Sequence, residues 1–87
     1  MTRVVVPPIK LSLDGAEVFI LEVTENTWVD GSKHYLVTFF IKWRNLRSQV
    51  ATIDVRDNQE LIQKLRAEIA KFKLLIYGGM SNIFQRV

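Results

Sequence analysis

Tyr35-Leu36-Val37-Thr38-Phe39-Phe40-Ile41-Lys42-Trp43-Arg44 is the stretch whose reading decides the fold. Its odd positions, Tyr35, Val37, Phe39, Ile41 and Trp43, are all apolar, while its even positions, Leu36, Thr38, Phe40, Lys42 and Arg44, are mixed. Side chains of a β-strand alternate between two faces. The odd set therefore belongs in a core. The even set puts an aromatic ring and two cations on a second face, and core packing does not account for them.

Working outward, the same parity recurs. Pro7 and Pro8 close an extended N-terminal arm over 1–8, because neither can donate to a sheet ladder. Ile9-Lys10-Leu11-Ser12-Leu13 alternates with its odd residues apolar, and Asp14-Gly15 is a hairpin signal. A strand over 17–27 carries Phe19, Leu21 and Val23 on odd positions and Val18, Ile20, Glu22 and Thr24 on even ones. Asp30-Gly31 marks a second turn, and Asn45-Leu46-Arg47-Ser48 a third. A last strand over 49–56 has Ala51, Ile53 and Val55 odd. In an antiparallel pair the residue numbers of partners have a constant sum, so odd faces odd only across a loop with an odd number of residues. Loops of three or five residues are expected, the shorter being a type I turn closed by a glycine bulge. Two-residue turns at Asp14-Gly15 and Asp30-Gly31 would send Phe19, Leu21 and Val23 to the other face, unless a bulge restored the phase.

A helix follows. Asp57 is a good N-cap, and Glu60 three positions later completes a capping-box pattern. Leu61, Ile62, Leu65, Ile69, Phe72 and Ile76 recur at helical spacing, and Gly78 suits the position just past a helix end. The pattern predicts one helix of about 20 residues, roughly 30 Å long. The alternative ends the helix near Phe72 and makes residues 74–77 a fifth strand, although no turn signal precedes Leu74. In the tail over 78–87, Met80, Ile83, Phe84 and Val87 fall on one amphipathic face. The expected fold is α+β: one domain over 1–87, with a four-stranded antiparallel meander over 9–56 and a helix over 57–77 packed on the odd face.

Composition narrows the chemistry. The chain has 87 residues, is 48% apolar and 24% charged, and contains no cysteine. Disulfides, thiolate metal sites and cysteine nucleophiles are excluded. His34 is the only histidine, no ligand set has metal spacing, and no glycine-rich loop opens a helix. Neither a metal nor a cofactor is expected, and no catalytic residue is assigned. Asp54 and Arg56 share the even face and are expected to form a surface ion pair. The apolar run at the start is too short for a signal peptide, and none approaches the ~20 residues of a membrane span. A soluble cytoplasmic protein with no membrane partner follows as the expectation. The net charge is +3, unevenly spread: five acids against two cations over 1–30, then ten cations against four acids over 31–87. A basic C-terminal part suits a polyanionic partner.

The expected register gathers Val18, Ile20, Leu36, Phe40 and Val50 on the even face, with Lys10, Lys42, Arg44 and Arg56 around them. A face no helix covers is normally polar throughout, so this patch calls for a partner. Three partners fit: a second copy in a homodimer, single-stranded nucleic acid, or the chain's own tail through Ile83 and Phe84. Bases stack on exposed aromatics while Lys and Arg track phosphates. Phe40, Lys42, Arg44, Arg47, Arg56 and Trp28 are the residues assigned to that task. In its order of four strands and one long helix, the chain resembles small single-stranded-DNA-binding transcriptional coactivators, which dimerise and bind through their sheets. The resemblance covers element order alone and implies no residue roles. The sequence thus leads to a non-catalytic nucleic-acid-binding module. The alternative is a protein-interaction or structural subunit that pairs through the same face.

Overall fold

A computed structural model describes residues 9–77; the arm before Ile9 and the tail with Ile83 and Phe84 lie outside the described residues. The order is β1 (Ile9–Leu13), β2 (Ala16–Thr27), β3 (Lys33–Trp43), β4 (Leu46–Arg47), β5 (Ala51–Val55) and α1 (Asn58–Tyr77). All strand pairings are antiparallel: β1 with β2, β2 with β3, and both β4 and β5 with the far edge of β3. The architecture is α+β, with one helix on one face of the sheet. Residues 74–77 continue α1 and add no strand; the sheet has five strands where the sequence pattern predicts four, because the last one is divided into β4 and β5. That helix is not long and apolar enough to cross a membrane.

The turns settle which face each side chain takes. Leu13 pairs with Ala16, so Asp14-Gly15 is a two-residue turn, and both residues have positive φ, 50° and 80°. That geometry matches the right-handed twist of the flanking strands. Even residues of β2 consequently face the odd residues of β1 and β3: Val18 lies opposite Leu11 and Ile41, and Ile20 opposite Ile9 and Phe39. Val18 and Ile20 are therefore core residues, 0% and 5% exposed, not part of the outer face where parity placed them. Phe19 moves to the outer face in their stead. The register then shifts between Ile20 and Glu22, a bulge at Leu21, and Val23 returns to the helix side opposite Val37. The next loop, 28–32, has the expected odd length, since Thr27 pairs with Lys33.

A second shift of phase occurs after β3. Trp43 pairs with Leu46 across Arg44-Asn45, another two-residue turn with positive φ at both positions, 56° and 66°. The last strand is split. Ser48 donates its N–H to the Ile41 carbonyl and accepts the Ile41 N–H on its hydroxyl, both at 2.8 Å. A side chain thus stands in for a ladder carbonyl while the register slips. Beyond the slip, Ala51, Ile53 and Val55 pair with Phe39, Val37 and Tyr35 on the helix side. Val50, expected in the outer patch, lies in the irregular 48–50 segment and is half exposed.

The core lies between the sheet and α1. Ala16, Val18, Ile20, Val37, Phe39, Ile41, Trp43 and Val55 meet Leu65 and Ile69, while Leu61, Phe72 and Ile76 pack at the margin. Asp57 caps α1 as the sequence predicts: its carboxylate accepts the Glu60 N–H at 2.8 Å. Glu60 reaches back to the Arg56 N–H at 2.7 Å, one residue earlier than a standard capping box. Further along, α1 is tied to the first turn: Arg66 at mid-helix lies 3.6 Å from the Asp14 carboxylate, and Lys73 donates to the Asp14 carbonyl.

Candidate functional site

The outer face of the sheet is crossed by no described element. Pairing lines up Lys10, Phe19 and Phe40 in one row and Ser12, Glu17, Lys42 and Arg47 in the next. The Phe19 and Phe40 rings stack, with centroids 4.9 Å apart and planes inclined by 11°. The Arg47 guanidinium lies over Phe40, 4.2 Å from its centroid. Lys42 is exposed beside them, and Lys10 is engaged by Glu17 at 3.4 Å. Of the residues assigned to binding from sequence, the structure brings together Phe40, Lys42 and Arg47. Leu36 is also on this face, half-buried, in the row with Thr24 and Asp54.

Arg44 departs from its expected place. β3 ends at Trp43, and the positive φ of Arg44 sends its side chain back over the helix-facing Trp43 ring, 4.5 Å from the centroid, with Tyr77 at 5.7 Å. Arg56 also departs. It pairs with Glu60 at 3.6 Å at the start of α1, and Asp54 engages His34 at 3.1 Å, so the expected pairing of Asp54 with Arg56 is not formed. Trp28, 52% exposed, stacks on His34 with centroids 4.1 Å apart. This second aromatic pair lies at the opposite end of β3, where Asp54 holds His34, Asp30 sits in the adjoining loop, and Arg56 and Lys64 line the cleft beside His34. The Ser32 backbone N–H and then its hydroxyl, both bonded to Asp30, hold that carboxyl below its ordinary value.

Charge pairing separates the two ends of the sheet. Six of the ten described lysines and arginines have a carboxylate within 4 Å: Lys10, Lys33, Arg56, Lys64, Arg66 and Lys71. The remaining four, Lys42, Arg44, Arg47 and Lys73, gather around Phe40 and Trp43 at one end. All nine carboxylate side chains of the sequence lie within 9–77. No group of His, Asp and Glu among the described residues has the makings of a metal site.

Two participants escaped the sequence reading. Phe19 carries a signal after all, because Asp-Gly is the sequence of a two-residue turn, and that turn alone puts Phe19 beside Phe40. Lys73 carries none: its nearness to Trp43, 5.1 Å from the ring centroid, depends on how α1 crosses the sheet. No protein-family model, curated protein or solved structure matches the chain.

Proposed function

We propose that the protein is a small non-catalytic module that binds single-stranded DNA or RNA on its outer sheet face. The supporting observation is that Lys42 and Arg47, both without a carboxylate, flank the Phe19 and Phe40 stack. Arg47 over Phe40 is an exposed cation–π contact worth ~0.5–1 kcal/mol. A base stacked on such a ring contributes ~1–3 kcal/mol. The exchange favours a base on Phe40, with Arg47 swinging to a phosphate. Lys42 supplies a second phosphate contact, and Phe19 backs the platform. The cytoplasm is the compartment this reading assigns, and a dimer would present two such platforms.

Fluorescence anisotropy with labelled single-stranded oligonucleotides at increasing salt tests the proposal. Binding that weakens as salt rises is expected, and Lys42→Ala should weaken it for all sequences alike. Absence of binding, or affinity indifferent to salt, would sink it.

The second reading is a structural or interaction subunit that pairs with a second copy through the outer face. Phe19, Leu36 and Phe40 favour it, as apolar side chains on a face no described element covers. Light scattering on Phe40→Glu decides: a dimer that uses this face dissociates, and one that persists is built elsewhere.

A further inference from the structure

Arg44 and Lys73 address the same indole. The Arg44 guanidinium lies 4.5 Å and the Lys73 ammonium 5.1 Å from the Trp43 centroid. Two like charges so placed are within about a Debye length of each other and repel. Like Lys42 and Arg47, and unlike the other described lysines and arginines, neither has a side-chain carboxylate within 4 Å among the described residues. Lys73 spends one of its three donors on the Asp14 carbonyl, and the Arg44 guanidinium lies over the ring with its N–H donors unspent on any described partner. A guanidinium and an ammonium gathered at one ring supply the donor set for a phosphate: bidentate contact from the arginine and a point charge from the lysine. Lys42, on the outer face, is only two residues from Arg44, so the two cation pairs are continuous around the 44–45 turn.

We propose that Arg44 and Lys73 form a phosphate subsite at the edge of the Trp43 ring, and that the bound single strand wraps around the 44–45 turn instead of ending on the outer face. The wrapped path rests on the nucleic-acid reading; the anion subsite does not. The site would take a phosphodiester of the strand or, alone, an inorganic polyphosphate.

The test uses the full chain, Arg44→Asn and the double variant Arg44→Asn/Lys73→Gln. Asparagine tolerates the positive φ of position 44, and circular dichroism checks that both fold. With three phosphates contacted, the slope of log K against log salt for a single strand is about −2.1, and with two it is about −1.4. The wild type should show the steeper value and the double variant the shallower. Independently, tripolyphosphate should shift the Trp43 indole N–H resonance, leave that of Trp28 in place, and do neither in the double variant. Oligonucleotide binding with equal slopes and a silent Trp43 overturns the inference. A Trp43 shift with tripolyphosphate, but no oligonucleotide binding, keeps the anion subsite and removes the nucleic-acid reading. Silence to both removes both.

Discussion

Gly15 and Arg44 share a backbone state for different reasons. Gly15 has φ 80° in the first hairpin turn, and a Cβ there would meet only the end of Lys73, at 3.9 Å. Space is therefore not the constraint; backbone conformation is. Gly15→Ala should cost ~1–2 kcal/mol, read from urea denaturation, and a neutral result would mean the turn relaxes. Arg44 and Asn45 adopt positive φ with no glycine in the turn. The asparagine suits that state and the arginine does not, so Arg44→Gly should leave stability within about 1 kcal/mol even as it removes a cation. Glu60 offers a pH handle. The Arg56 backbone N–H holds its carboxyl below the ordinary value, with Lys64 and Arg56 adding to the effect against a desolvation opposing it. A depressed folded value means stability that is present above the unfolded value and lost as pH falls through the folded one. Thermal melts should therefore fall more steeply below about pH 4 in the wild type than in Glu60→Gln. Parallel curves would show that Glu60 takes no part in acid unfolding.

At the scale of elements, two irregularities let a sequence of uniform parity close its sheet with two-residue turns. The bulge at Leu21 turns β2 over midway, so Val18 and Ile20 face α1 on one side of it and Val23 on the other. Deleting Leu21 removes the extra residue and leaves Glu22 opposite Thr38 and Val23 opposite Val37 in a regular ladder, so the chain should still fold with Val23 on the helix side. Failure of that deletion to fold would contradict this account of the sheet. Ser48 manages the second slip. Ser48→Ala strands the Ile41 N–H in a part-buried ladder, a loss of about 1–3 kcal/mol. These two elements mark the limit of what the sequence could tell. Odd parity named Val37, Phe39, Ile41, Trp43 and Val55 as core correctly, because β3 and β5 have no internal bulge. Asp57 and Glu60 announced the start of α1 by local chemistry, and its apolar stripe was legible to Ile76. Where β2 inverts was not legible, since a bulge is set by competition between turn geometry and burial over the whole hairpin. That competition moved Val18 and Ile20 off the outer face and brought Phe19 onto it. Arg44 was misplaced for a related reason: the strand stops one residue before it.

At the scale of the whole molecule, the net charge of +3 conceals how charge is paired. Among the described residues, unmatched cations collect at the Trp43 end, while those toward the other, where Trp28 and His34 stack, are paired with carboxylates. Because those cations, Lys33, Arg56 and Lys64, already have carboxylate partners, Trp28, though exposed, belongs less naturally to the binding surface than Phe19. Trp28→Ala should thus change oligonucleotide affinity by less than twofold, whereas Phe40→Ala should weaken it by ~1–3 kcal/mol. Reversal of that order would place the surface at the Trp28 end of the sheet. The most direct test of the central claim is amide chemical-shift mapping of the full chain titrated with a short single-stranded oligonucleotide. Shifts concentrated at Phe19, Phe40, Lys42 and Arg47, with the outward residues Gln63 and Lys71 of α1 unmoved, are the expected result. No shifts, or shifts confined to α1, would contradict it.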